Sequence, residues 1–162
     1  CAGATVNPII KFDPTGKIVK QFGAGQILWP HGMDVDKQGN VWVVDARVPT
    51  AAELKQFPDW ANKGNAVLKF SPDGKLLLTL GSPGKTGNPP EAFTEPNDVI
   101  VGPDGSIYVS ESHTAQFLDN ESQPGAVGRI SKFSPDGKFI KSFGSFGYGP
   151  SQFRGPHSLA FD

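Results

Sequence analysis

Two histidines, His31 and His157, occupy the same place in a repeated cassette, each directly after a proline. The cassette reads PHGMDVDKQGNVWVVDA from Pro30, PNDVIVGPDGSIYVSES from Pro96 and PHSLAFD from Pro156, so Asn97 holds the position between them. Imidazoles brought to one point from equivalent places in successive repeats can hold a metal ion such as zinc. Three protein ligands and one open position is the usual catalytic arrangement for that ion. Asn97 carries an amide and is a poor zinc ligand. The third histidine, His113, ends the segment Tyr108-Val109-Ser110-Glu111-Ser112-His113. An imidazole titrating near neutrality suits general-base work there. Each histidine also has a plain structural reading: His31 and His157 as blade-start residues bonded to neighbouring turns, His113 as a solvated loop residue.

The elements that must position these side chains are short strands. A second cassette recurs as KFDPTGKIVKQFG (Lys11–Gly23), KFSPDGKLLLTLG (Lys69–Gly81) and KFSPDGKFIKSFG (Lys132–Gly144). It alternates apolar and polar residues around a Pro-x-Gly turn, in which proline presets φ and glycine accepts a positive one. Both cassettes therefore read as β-hairpins. The chain is predicted to be all-β, in four-stranded antiparallel blades of a β-propeller. Residues 11–23 are the last two strands of one blade, 30–81 and 96–144 are whole blades, and 156–162 is the first strand of the next. The spacing of 66 residues from Pro30 to Pro96 exceeds the ~40–50 usual for blade repeats. The excess lies in insertions at 47–64 and 113–127, and only Ala51–Ala61 is a candidate for a short helix. In an up-and-down blade those insertions and the loops ending at Pro30, Pro96 and Pro156 emerge on one face, which marks it as the working side. The first strand of each blade is innermost, so His31, Asn97 and His157 should converge on the propeller axis. Trp29, Trp60, Phe146 and Tyr148 fall in loops of that face, as ligand-lining residues or as packing. Two blades and two remnants do not close a ring. The missing blades come from more chain or from self-association of several copies.

Fifteen basic residues against 16 acidic ones, for a net charge of −1, argue against a nucleic-acid surface. No apolar run approaches the roughly 20 residues of a membrane span. Cys1 is the one cysteine, so no internal disulfide forms. It is either a lipidated mature end or a fragment boundary. Asp34 to Asp45 imitates a calcium loop but lacks flanking helices. Gly84-Lys85-Thr86 resembles the end of a phosphate loop, with Thr79 where its first glycine belongs and no helix following.

Pro30-His31-Gly32, the strand Gly39–Val43 and the stretch Phe153 to Ser158 resemble the NHL-repeat propellers. The likeness covers the chain apart from its two insertions. More narrowly, Pro30–Val43 and Phe153–Ala160 resemble motifs of peptidyl-α-hydroxyglycine α-amidating lyase. The resemblance implies a six-bladed ring, an axial catalytic zinc held in part by His31 and His157, and a third histidine ligand beyond Asp162. It also implies a structural calcium bound by carbonyls near Gly32 or Met33, and an extracytoplasmic setting. It places a catalytic tyrosine where this sequence has His113, and two catalytic arginines outside the chain. Two functions follow. One is a zinc-dependent carbon–nitrogen lyase acting on a small or peptide α-hydroxy amide, with His113 as base. The other is a non-catalytic propeller binding a peptide, glycan or protein through 47–64 and 113–127.

Overall fold

The computed structural model describes residues 6–124 and 126–162. Cys1, and with it any lipid anchor, lies outside the described residues. Strands β1 (Ile9–Phe12) and β2 (Ile18–Phe22) form a hairpin. A four-stranded antiparallel meander follows: β3 (Pro30–Val35), β4 (Val41–Asp45), β5 (Ala66–Phe70) and β6 (Leu76–Leu80). The second meander is β7 (Pro96–Val101), β8 (Ile107–Glu111), β9 (Arg129–Phe133) and β10 (Phe139–Phe143). These are the four-stranded blades of an NHL-type β-propeller. A short parallel pair, β11 (Ser145–Phe146) with β12 (Gln152–Phe153), folds the loop after β10.

The blade β3–β6 is sandwiched, and the alternation of its side chains sorts them to two sides. Trp42, Val44 and Val67 pack with Val99, Ile107, Val109 and Phe133 between the two meanders. Val43, Leu68 and Phe70 turn the other way, against Ile9, Phe22 and Ile27. This is why β4 reads as an unbroken apolar run, Val-Trp-Val-Val, although its residues face opposite neighbours.

The hairpin turns use their own acids. Asp36 accepts bonds from the main chain of Gln38 and Asn40, from the Asn40 side chain and from the Trp42 indole. Burial opposes its charge, yet these donors and Lys69 hold its carboxyl at about 2.

The candidate helix at 51–61 resolves into α1 (Ala51–Gln56) and a 3₁₀ turn at Pro58–Asn62. Thr50 and Glu53 close a capping box at its start. Pro58 ends it, since the residue before a proline avoids helical dihedrals.

Residues 156–162 depart from the expectation of a strand. They run beside β7, with Asn97 Nδ2 donating to Pro156 O (3.0 Å), Leu159 N donating to Asp98 Oδ2 (2.8 Å) and Phe161 edge-on to Tyr108. They form no ladder. A first strand is held chiefly by the second strand of its own blade, and the described residues contain none to pair with it.

Candidate metal centre

The start of the innermost strand carries the geometry. Pairing shifts register between Pro30 and Met33 in one blade and between Pro96 and Asp98 in the next. Such an irregularity re-aims the side chain that it contains, here His31 and Asn97. Gly32 is required beside it. A Cβ there would meet Asp98 Oδ1 at 2.3 Å and Asn97 O at 2.5 Å, so the neighbouring inner strand leaves room only for hydrogen.

His31 Nδ1 lies 2.8 Å from Asn97 O, and a carbonyl can only accept, so Nδ1 carries the proton and Nε2 keeps its lone pair. Asn97 makes the corresponding stitch to the next segment through Pro156 O. It is fully buried, and its Oδ1 has no hydrogen-bond partner among the described residues. Asn97 therefore ties neighbouring inner strands together.

His31, His113 and His157 do come together, each offering a nitrogen within 4.8 Å of the others. The His31 and His157 rings lie 5.6 Å apart and nearly parallel. The His113 ring stands edge-on to both, at 5.1 and 5.0 Å. Burial lowers the proton affinity of His113, and the adjacent His31 and His157 lower it further against the opposing charge of Glu95. The lowered affinity favours the neutral imidazole over the charged one.

Side chains around the cluster come from the loops of the same face. Trp29 lies 5.4 Å from the His113 ring and 6.4 Å from that of His31. Arg47 stacks 5.1 Å over the Trp29 ring and is gripped by both carboxylate oxygens of Glu53 on α1. That contact holds the Glu53 carboxyl at about 2. Phe117, exposed at the end of the 3₁₀ turn Thr114–Phe117, lies 6.4 Å from His113. Of the other aromatics singled out in the sequence, Trp60 stacks on Phe57, Phe146 is buried, and Tyr148 accepts a bond from Arg154.

Sequence reasoning missed Arg47, Glu95 and Phe117. A usable signal was present for the second. The residue before each strand-start proline differs between repeats, being Trp29, Glu95 and Gly155.

Beneath the site each blade buries an acid at the end of its second strand. Asp45 accepts from the main-chain nitrogens of Leu28, Trp29 and Gly64. Burial pushes its carboxyl up, and those donors together with Arg47 offset that only in part. Glu111 accepts from Thr94 N and pairs with Arg129 at 2.8 Å. Both acids anchor the loop that leads into the axial residue.

The chain is 32% identical over 160 residues to peptidyl-glycine alpha-amidating monooxygenase of Mus musculus, an alignment covering 94% of this chain and 14% of that protein. It is 28% identical over 163 residues to peptidyl-alpha-hydroxyglycine alpha-amidating lyase 1 of Drosophila melanogaster, covering 93% and 25%. It is 34% identical over 101 residues to NHL repeat-containing protein 3 of Homo sapiens, covering 61% and 26%. The chain thus spans about a quarter or less of the length of these relatives. No family model matches it. Fold and kinship together define an NHL-type β-propeller. Its relatives support an NHL-type family for the chain, which within that type resembles the peptidyl-α-hydroxyglycine α-amidating lyases.

Proposed function

We propose that this chain carries the axial metal centre of an amidating-lyase-like enzyme. His31, His157 and His113 are its zinc donors, and its substrate is an α-hydroxy amide of the peptidyl-α-hydroxyglycine type. The observation that carries this reading is the convergence of the three imidazoles, their candidate ligand nitrogens mutually within 4.8 Å.

The donor set fits the ion. Imidazole nitrogen is a preferred zinc ligand at roughly 2.0–2.1 Å, and three such ligands leave a position open. Tetrahedral geometry asks for nitrogens about 3.3 Å apart, so the rings draw together on binding. His31 already has its tautomer fixed by Asn97 O, the second-shell arrangement typical of a ligating histidine. The lowered proton affinity of His113 favours the neutral form that a ligand takes.

Bound there, zinc supplies Lewis-acid polarisation of the substrate hydroxyl. In the lysis itself the bond between the hydroxylated carbon and the amide nitrogen breaks. The hydroxyl loses its proton, the nitrogen gains one, and an amide and an aldehyde acid leave. His31 and His157 would hold the ion at the axis, while Trp29 and Phe117 bound the space beside it.

One observation favours a second reading. The lowered proton affinity of His113 suits a base that takes the hydroxyl proton, with the third ligand supplied from another part of the protein. On the same kinship we place the protein outside the cytoplasm, in a ring of six blades. A structural calcium near the carbonyls of Gly32 or Met33 is a further proposal. Among the described residues no helix is long and apolar enough to cross a membrane.

Elemental analysis of the full-length protein for zinc and calcium tests the proposal. About one zinc per chain, lost in the double variant His31→Ala/His157→Ala, supports it. His113→Ala that keeps zinc but no longer turns over α-hydroxyglycine substrates supports the second reading. No zinc after metal is re-supplied overturns both. It would leave a propeller that binds a peptide, glycan or protein through 47–64 and 113–127.

A further inference from the structure

We propose that Glu95 is the positioning residue of His113, holding its imidazole in register with His31 and His157. The inference rests on the reading of those histidines as a metal centre, and it concerns a residue that touches neither metal nor substrate.

Glu95 grips the His113 segment at two points. Its main-chain carbonyl accepts from His113 N at 3.0 Å, and its carboxylate Oε2 accepts from Thr114 N at 2.6 Å. The second is a charge-assisted bond at the short end of its range. Together they fix the main chain on both sides of the His113 α-carbon, and so fix the direction in which the ring leaves the chain. No other described side chain bonds the main chain of His113 or Thr114 except Gln116, which donates to His113 O.

The backbone of Glu95 makes the same point independently. Its φ is +48°, a left-handed conformation that glycine or asparagine adopts more readily than glutamate. Its repeat counterpart Gly155 has φ +68°, and a Cβ there would come within 2.9 Å of Gln116 Cβ on the same turn. One counterpart is thus a glycine that admits the His113 turn, and the other is a glutamate, in a conformation unfavourable to it, that holds the turn in place. Retaining a glutamate there is explained by what its carboxylate does.

Residues that orient a metal ligand change metal affinity by about 10–100-fold when removed.

The test uses two variants of the full-length protein. Glu95→Gly removes the carboxylate while suiting the positive φ, and Glu95→Gln keeps a carbonyl oxygen for Thr114 N. Zinc affinity, read by chelator competition, should fall about 10–100-fold in Glu95→Gly and recover in Glu95→Gln. In a His113→Ala background, Glu95→Gly should cause no further loss. Two readouts on metal-free protein keep the outcomes separable. Exchange of the Thr114 amide should quicken in Glu95→Gly, and nuclear Overhauser contacts between the His113 ring and the Trp29 indole should weaken, both recovering in Glu95→Gln. If wild type takes up no zinc while these metal-free changes appear, the metal reading fails and the clamp stands. Unchanged exchange and ring contacts in Glu95→Gly overturn the clamp. So does an equal loss of zinc affinity in the His113→Ala background.

Discussion

The two complete blades perform one task with different chemistry. In the blade β3–β6, Asp45 lies opposite Ala66 and is satisfied by three main-chain N–H groups. In the blade β7–β10, Glu111 lies opposite Arg129, which reaches it with two nitrogens and also grips Asn88 and Gly87. Each acid pins the loop entering the axial strand, so the repeat preserves the anchor while its composition drifts. The residues two places further on have diverged in purpose. Arg47 is turned onto Trp29 and tied to Glu53, whereas His113 is turned into the histidine cluster and tied back to Glu95. An array of equivalent blades becomes a site by varying the residues around a constant anchor.

That contrast can be broken first at Arg129. Arg129→Met leaves the Glu111 carboxylate buried without its cation, and stability should fall by about 3–5 kcal/mol in urea unfolding. The corresponding change in the other blade, Asp45→Asn, removes no ion pair. It turns an acceptor into a group that must present an NH₂ to main-chain donors, for a loss of about 1–3 kcal/mol. Equal losses at the two positions would dissolve the distinction.

Acid sharpens the comparison further. The folded-state value for Asp36 lies near 2, below its ordinary 3.8. Its contribution, about 2 kcal/mol, is present above pH 4 and is lost as pH falls toward 2. Asp45 has the opposite sign. Its raised folded-state value means that the folded protein binds the extra proton, so stability falls as pH rises through that value. Unfolding midpoints measured from pH 2 to 6 should therefore flatten at the acid end in Asp36→Asn and at the upper end in Asp45→Asn. The smallest effect belongs to Arg47→Ala. It removes a guanidinium–indole contact worth about 0.5–1 kcal/mol along with the Glu53 ion pair, and should shift Trp29 fluorescence without altering zinc uptake.

Much of the blade architecture was legible in the sequence because its signals are local. The Pro-x-Gly turns, the period-two alternation and the recurrence of Pro30, Pro96 and Pro156 need no tertiary knowledge. Convergence of His31 and His157 follows from repeat equivalence alone. The place of His113 beside them came only from the family resemblance, not from the repeat pattern. It depends on a turn held by Glu95, whose partner Thr114 is 19 residues away. The register shift that re-aims His31 and Asn97 also leaves no local mark, because it arises where two inner strands pass within contact of Gly32. The unpaired course of residues 156–162 was hidden for a related reason, since an inner strand is defined by the neighbour that it pairs with.

The central claim is that three imidazoles from different segments form one metal centre. X-ray absorption at the zinc edge of the full-length, zinc-loaded protein counts those ligands directly. The account predicts a first shell with about three imidazole nitrogens at roughly 2.0–2.1 Å, falling by one in His113→Ala. Zinc that is retained with an unchanged shell after His31, His113 and His157 are all replaced by alanine would contradict it.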